Sequence, residues 1–386
     1  MSSDDNSKGK KRKWVILALL LVAFAIIAYI TVSLLTGTGF VQLPGLFSAR
    51  TPEITVDEYN FNVGRNRSFA GMGGYVASVG TLGVQVLDGE GRETLRDSFR
   101  MVRPAIVSSG ARSIAFDIGG TSVRVFSPTI ITTSLETDGR VVSASINRNG
   151  WFCIVTQDSG GFRGTVTVYN SLGIDVYRVN IGSGYAVSAH LSPDNKNLVI
   201  HSLIDNGSRI TFYHGIDTEV EPAHAYDLYN ELVIDLLYLP NGDVLTISTD
   251  SLSIIGSTGG RDEIYSFSDK RLGGYTFDGE FIALHIYDFG IGIQGRLVAI
   301  GTDGTILREL TTDWELLSMS SVGSSLVILK GDKLSFYNEE LETFSVSAGG
   351  LSAAGANRVL AISEGVALAT SDNSAVVLVQ EEPLDE

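Results

Sequence analysis

A single hairpin pattern recurs along this chain and limits what it can fold into. Residues 324–338 read SSLVILKGDKLSFYN, with an apolar run over Leu326–Leu329, a polar turn at Gly331-Asp332, and alternation resumed by Leu334 and Phe336. Short apolar runs on either side of a Gly-Asp turn mark a hairpin, and a lone hairpin is not stable in water. Comparable hairpins start at Tyr75, Ser113, Trp151, Asn197, Asp243, Glu280 and Val366, which makes eight copies spaced by about 37 to 46 residues. A repeat of about 40–50 residues is the period of a four-stranded propeller blade. Each hairpin is preceded by a further strand-like run, such as AVSAHL before the fourth, and most are followed by another, such as DVYRVNI after the third. The hairpin is therefore read as the middle pair of a blade. Neighbouring blades cover its two faces, which explains runs such as LVIL that do not alternate.

The expected fold class is all-β, a β-propeller over 51–380 of eight four-stranded blades, with seven as the alternative count, preceded by one transmembrane helix. The last hairpin ends near Val379 with no strand after it, and EITVDEY at 53–59 is one strand in excess at the other end. Letting 53–59 form the outer strand of the last blade closes the ring and hides an open edge.

Ahead of the repeat, residues 14–35 read WVILALLLVAFAIIAYITVSLL with no charge. As a helix they span about 33 Å, enough for the ~30 Å hydrocarbon layer. Lys8, Lys10, Lys11, Arg12 and Lys13 precede the run directly, so the positive-inside rule places 1–13 in the cytoplasm and the propeller outside. The run is too long for the apolar core of a cleaved signal peptide, and TGTGFVQLPGLF after it lacks a small-residue cleavage pattern. The expected layout is a basic cytoplasmic segment 1–13, a signal anchor 14–35, a linker 36–50, the propeller 51–380 and an acidic tail 381–386. Localisation is the cell membrane, single-pass, with the propeller extracytoplasmic.

Four of the turns ahead of the hairpins share a phrase: SAHLSPDNKNLVIHS (188–202), YLPNGDVLTIS (238–248), YTFDGEFIALHI (275–286) and SINRNGWFCIVT (145–156). It resembles the S-P-D-G-K-x-L-A phrase of TolB-like and WD40-like bacterial propellers. The layout of the whole chain resembles an uncharacterised family of membrane-anchored bacterial propeller proteins, a domain of unknown function. The resemblance implies a fold and no activity. In the phrase, Asp, Asn and Gly make the tight turn between strands.

The sequence contains no recognisable catalytic constellation. The net charge of −16 argues against nucleic acid, which needs clustered Lys and Arg. The single cysteine, Cys153, lies in the apolar run WFCIVT, so it forms no internal disulfide and reads as a buried thiol. His190, His201, His214 and His224 gather in the fourth unit and His285 in the sixth, without metal-ligand spacing. The first three sit on successive strands as expected sheet histidines. The adjacent acids Asp57-Glu58, Asp262-Glu263 and Glu339-Glu340 are not carboxylate dyads, because neighbours on a strand point to opposite faces. DFG at 288–290 lacks the other kinase motifs, and the glycosylation patterns at Asn66 and Asn206 are short enough to arise by chance. No catalytic, cofactor or metal residue is assigned.

In a propeller, the turn between the middle strands and the link to the next blade share one face. If 53–59 enters from the opposite side, that face looks away from the membrane. It also has the longest expected loops: 157–163, 203–209, 287–295 and 347–357, with Phe289, Ile291 and Ile293 in one of them. Long loops on a rigid scaffold are where binding tends to sit. The functional expectation is a non-enzymatic, membrane-anchored binding or scaffold module for a protein or cell-wall polymer. The alternative is a lyase- or glycosidase-like enzyme with carboxylates gathered from separate blades at the central channel. The discriminator is whether the inner strands bring two or more Asp, Glu or His around one pocket.

Overall fold

In the computed structural model the repeat becomes a series of antiparallel sheets, each of four strands in sequence order. The structure describes residues 54–157, 161–216, 222–239, 241–277, 280–288, 293–331, 333–347, 356–370 and 376–381. Their strands form eight four-stranded sheets. Blades 1 to 7 occupy 68–98, 104–136, 140–180, 185–229, 233–266, 270–312 and 316–347. Blade 8 takes Arg358–Ser363, Val366–Thr370 and Val376–Glu381 from the end of the chain and Ile54–Tyr59 from its beginning. Ile54–Tyr59 runs antiparallel to Val376–Glu381, from Ile54 opposite Glu381 to Tyr59 opposite Val376. The surplus strand at 53–59 thus lies where the sequence placed it, and the two ends of the repeat are joined by backbone hydrogen bonds.

Packing follows the same order. Each apolar cluster lies between consecutive blades, as in Ile247 and Leu252 of blade 5 against Leu284 and Val298 of blade 6. The cluster of Val76 and Leu87 with Ile362 and Leu368 packs blade 1 on blade 8 and closes the ring. Middle strands are buried on both faces: Leu326, Val327, Ile328 and Leu329 are each 0% exposed. Outer strands are open to solvent, as the exposed Asp175, Val176 and Arg178 show.

The first strand of each blade is innermost. In blades 3 to 7 this strand carries a bulge near its start, placing one extra residue at Val142, Val187, Ile234, Gly273 and Leu317. A bulge breaks the alternation of the strand and redirects a side chain. Here it leaves Val142, Ile234 and Leu317 exposed although they are aliphatic.

The span expected at 14–35 and the segments on either side of it lie outside the described residues. Among the described residues no helix is long and apolar enough to cross a membrane.

Candidate functional site

The connections divide between two faces. The link face carries the turns between second and third strands and the links from one blade to the next. The turn face carries the other two turn types. Each face satisfies its backbone differently.

On the turn face, short polar side chains close their own turns. Asp88 Oδ1 accepts the amides of Glu90 and Arg92, both at 2.9 Å. Asp303 Oδ1 accepts the Thr305 amide at 3.0 Å, and Asn338 Oδ1 accepts the Glu342 amide at 2.8 Å. The S-P-D-N-K stretch behaves likewise, with Asp194 Oδ1 accepting the Lys196 amide at 3.1 Å. Asn147 Nδ2 donates to Asn195 Oδ1 at 2.6 Å, tying this turn to that of blade 3. Hydrogen bonds hold the carboxyls of Asp88, Asp194 and Asp303 below the usual range, chiefly from the Arg92 amide, the Ser192 hydroxyl and the Thr305 hydroxyl respectively. The face is acidic: among the described residues its turns hold Asp88, Glu90, Asp194, Asp243, Glu280, Asp303, Glu339, Glu340, Glu342 and Glu364 against Arg92, Arg148 and Lys196.

On the link face, side chains from the strands reach across to the links. Asp117 Oδ1 accepts the amides of Val102 at 2.9 Å and Arg103 at 2.6 Å. Ser208 Oγ accepts the Val233 amide at 2.9 Å and lies 3.2 Å from His201 Nε2. Tyr287 Oη accepts the Leu316 amide at 2.7 Å. The most buried of these clasps centres on Glu231, in the link from blade 4 to blade 5. Arg261 donates to both its oxygens at 2.7 and 2.8 Å, Ser251 Oγ donates at 3.0 Å, and Ser248 Oγ also donates. Burial pushes the Glu231 carboxyl up, but Arg261, Ser248 and Ser251 outweigh it and hold the group below its ordinary value.

A second cross-blade group joins blades 6 and 7. His285 is fully buried, with Nε2 3.0 Å from Thr312 Oγ1, its ring stacked on Trp314 and edge-on to Tyr287. Arg271 sits over the Tyr287 ring at 4.4 Å, and Lys330 over Trp314 at 4.9 Å. Sequence reasoning missed both groups. Their members come from different strands and blades, 30 residues apart for Glu231 and Arg261, so no local motif announces them.

The histidines of blade 4 are on successive strands but not directly opposite one another. His190 faces Val199, His201 faces Ser188 and Ile210, and His214 faces Asn197. His214 Nδ1 pairs with Asn197 Oδ1 at 3.1 Å. Burial lowers His190, His201 and His285 to about 4, so their rings are neutral near pH 7. Among the described residues no three His, Cys, Asp or Glu side chains gather in metal-binding geometry. Cys153 is buried, 3.0 Å from Ser145 Oγ, and burial pushes its thiol up to about 12. Asp262 and Glu263 lie exposed on an outer strand, and Glu339 and Glu340 in an exposed turn. The side chains of Asp57 and Glu58, and Phe289 and Ile291, lie outside the described residues, while Ile293 is 44% exposed.

The inner strands answer the question of a channel site directly. Together they contain one carboxylate, Asp235, and one imidazole, His190, on blades 5 and 4. Asp235 is raised by burial and accepts from Tyr275 Oη at 3.3 Å.

The beginnings of the inner strands and the links are instead basic. They hold Arg65, Arg67, Arg100, Arg103, Arg140, Lys270, Arg271 and Arg358 against the exposed Asp138, Asp269, Asp313 and Glu315, besides the buried Glu231 already paired with Arg261. No ion pair among the described residues involves any of these eight cations. The paired arginines belong to third strands, outer strands and one turn of the opposite face.

Comparison with known proteins reaches the fold and a family. The family of unknown function DUF5711 matches residues 51–343. No curated protein matches the sequence. The C-terminal WD40 domain of Sif2 is similar in structure, with 11% identity, a TM-score of 0.58, and coverage of 86% of this chain and 99% of that one. Saccharomyces cerevisiae Sqt1 is similar at 13% identity and a TM-score of 0.54, over 86% of this chain and 98% of its own. These likenesses identify a WD40-like propeller.

Proposed function

We propose that this chain, which belongs to the family of unknown function DUF5711, is a non-enzymatic binding module: an eight-bladed propeller anchored by residues 14–35 and displayed outside the cell membrane to hold a protein or cell-envelope partner. The observation that carries the binding reading is the contrast at the channel. Its inner strands contribute one carboxylate and one imidazole from different blades, too few for the paired acids that glycosidase-type chemistry requires. The link face, in contrast, presents exposed apolar side chains and cations without carboxylate partners. Propellers commonly serve as protein-interaction scaffolds, and rigid folds with loops at one end suit that role.

The anchoring rests on the uncharged run at 14–35 and the five cations just ahead of it. Ile54–Tyr59 begins at the turn face and ends at the link face.

Crosslinking of the full-length protein in cells, followed by identification of what it holds, tests the reading. Recovery of a defined partner, lost when 288–295 or the link-face cations are replaced, is the expected result. Turnover of a glycan or a lyase substrate by the purified chain, abolished by Asp235→Asn, would replace it with an enzymatic reading.

A further inference from the structure

The central mouth of the link face combines three features that occur together nowhere else among the described residues. The first is charge. In a chain of net charge −16, the links and inner-strand starts gather Arg65, Arg67, Arg103, Arg140, Arg271 and Arg358 around one opening. Arg67 and Arg103 donate to the carbonyl oxygens of Gly64 and Ile118, and Arg271 lies over a ring, so none of the three is neutralised. The surrounding turns between middle strands are not basic, with Arg163 against Asp205 and Asp250. The same links also hold the exposed carboxylates Asp138, Asp269, Asp313 and Glu315, so with Arg100 and Lys270 the opening carries eight cations against four exposed acids, a net positive charge in an acidic chain.

The second feature is the row of bulges. In consecutive blades the extra residue sits at the same end of the inner strand, and three of these side chains are exposed aliphatics: Ile234 at 50%, Leu317 at 43% and Val142 at 37%. An exposed aliphatic repeated at equivalent positions is a surface kept open to an apolar contact, and not scattered surface apolarity. The third is an aromatic rim. Tyr185 is 58% exposed with Arg163 over its ring at 4.8 Å, and Tyr and Arg are the residues that anchor protein interfaces.

We propose that this mouth binds an acidic polypeptide segment whose carboxylates alternate with apolar side chains. The inference rests on the binding-module reading and names the partner's chemistry. Cations alone would equally suit a polyphosphate. The aliphatic bulge residues decide between the two, because a fully charged polymer gains nothing from them and loses water at its charges on approaching them. A segment with both kinds of side chain satisfies cations and aliphatics together.

The test uses the full-length chain in detergent and fluorescence anisotropy with four labelled probes. These are a synthetic peptide of Glu-Leu-Glu-Phe repeats, the same peptide with Ser at the apolar positions, its Lys-Leu-Lys-Phe counterpart, and inorganic polyphosphate. The acidic apolar peptide is expected to bind more tightly than the other three by about ten-fold or more, with affinity falling as salt is added. Arg103→Gln/Arg140→Gln/Arg271→Gln and, separately, Ile234→Ser/Leu317→Ser should each weaken it by about ten-fold. All five positions are exposed, and a melting curve checks that each variant folds. Should one fail to fold, Arg140→Gln or Leu317→Ser alone carries the same readout. Equal binding of the Ser-containing peptide, preference for polyphosphate, or unchanged binding by the arginine variant would each overturn the assignment. In-cell crosslinking separates this failure from that of the broader reading. A partner held by both the parent and the arginine variant leaves the binding module standing without this mouth, whereas no partner for the parent removes the module itself.

Discussion

The two faces of the propeller are made from the same repeated unit, yet they are finished differently. On the turn face, Asp88, Asp303 and Asn338 fold back on the turn that contains them, so each loop satisfies itself locally. On the link face, Asp117, Ser208 and Glu231 reach across connections, so each clasp ties one element to the next. The space around individual glycines varies within each face. A Cβ on Gly207 would lie 2.0 Å from the Leu228 carbonyl oxygen and one on Gly83 2.1 Å from that of Asp97, both on the link face. At Gly73 and Gly242 of the turn face nothing lies within 4 Å. At its centre the link face keeps exposed aliphatics and cations that form no ion pair among the described residues. Local closure leaves a turn free to vary; closure at a distance makes a rigid frame around an opening.

The largest effect should come from the clasp at Glu231. Glu231→Ala leaves the largely buried Arg261 beside Ser251 and Ser253 with no carboxylate, and breaking such a pair on one side costs about 3 kcal/mol. Thermal unfolding of the full chain should show a clear drop. The exposed pair of Arg92 with Asp88 and Glu90 on the turn face provides the contrast, since Arg92→Ala should leave the transition where it was. Equal drops for the two would dissolve the distinction between the faces.

The next largest is steric. Gly207 adopts φ +137° with a carbonyl in the place of a Cβ, so Gly207→Ala drives the third strand of blade 4 against its outer strand. Overpacking of this kind costs about 1–3 kcal/mol or more. Gly242 has φ +91° and open space around it, so Gly242→Ala should cost only the backbone penalty of about 1 kcal/mol. Chemical denaturation of the two variants, read at the midpoint, measures the difference.

These contrasts also explain what the sequence could and could not disclose. The middle strands were legible because burial on both faces writes itself as unbroken runs such as FCIVT and LVIL, repeated at a constant interval. The closing strand was legible because 53–59 left one strand too many at one end and one too few at the other. The turn face was legible in the S-P-D-N-K and P-N-G-D phrases, since a turn that satisfies itself must carry its own Asp, Asn and Gly. The link face was not. Glu231 and Arg261 meet only after three intervening strands are folded, and the bulges at Val142, Ile234 and Leu317 depend on register. The arginines of the mouth are scattered singly, and only the ring brings Arg65 and Arg358 to the same opening. The longest loops drew notice in the sequence, whereas the convergent chemistry lies in the short links.

Acid should affect the two faces unequally. His190, His201 and His285 are held to about 4 by burial, whereas an unfolded histidine titrates near 6.5. Between these values the unfolded chain binds more protons than the folded one, so stability is lost as pH falls from about 6.5 towards 4. His201 and His285 lie in the link-face halves of their strands, and His190 near the turn-face end of its own. His201→Gln/His285→Gln should flatten the decline in melting temperature over that window. Glu231, held below its ordinary value, adds a loss at lower pH, as its folded-state carboxyl takes up a proton. The turn-face carboxyls are exposed and closed locally, and replacing Asp303 with Asn should leave the profile between pH 6.5 and 4 unchanged. A profile that Asp303→Asn alters and the histidine variant does not would reverse the comparison.

The smallest expected effect is the one that bears most on function. Arg140 is exposed and forms no ion pair among the described residues. Removing its charge breaks no ion pair. Arg140→Gln should therefore unfold at the temperature of the parent chain. A residue kept for the fold destabilises it when removed; one kept for a partner does not. Measured beside Glu231→Ala, Arg140→Gln separates the two kinds of charge on the same face: one holds the ring together, and the other gives it something to hold. A drop in melting temperature for Arg140→Gln comparable to that of Glu231→Ala would make the mouth another structural clasp and move the search for a partner to the longer loops at its rim.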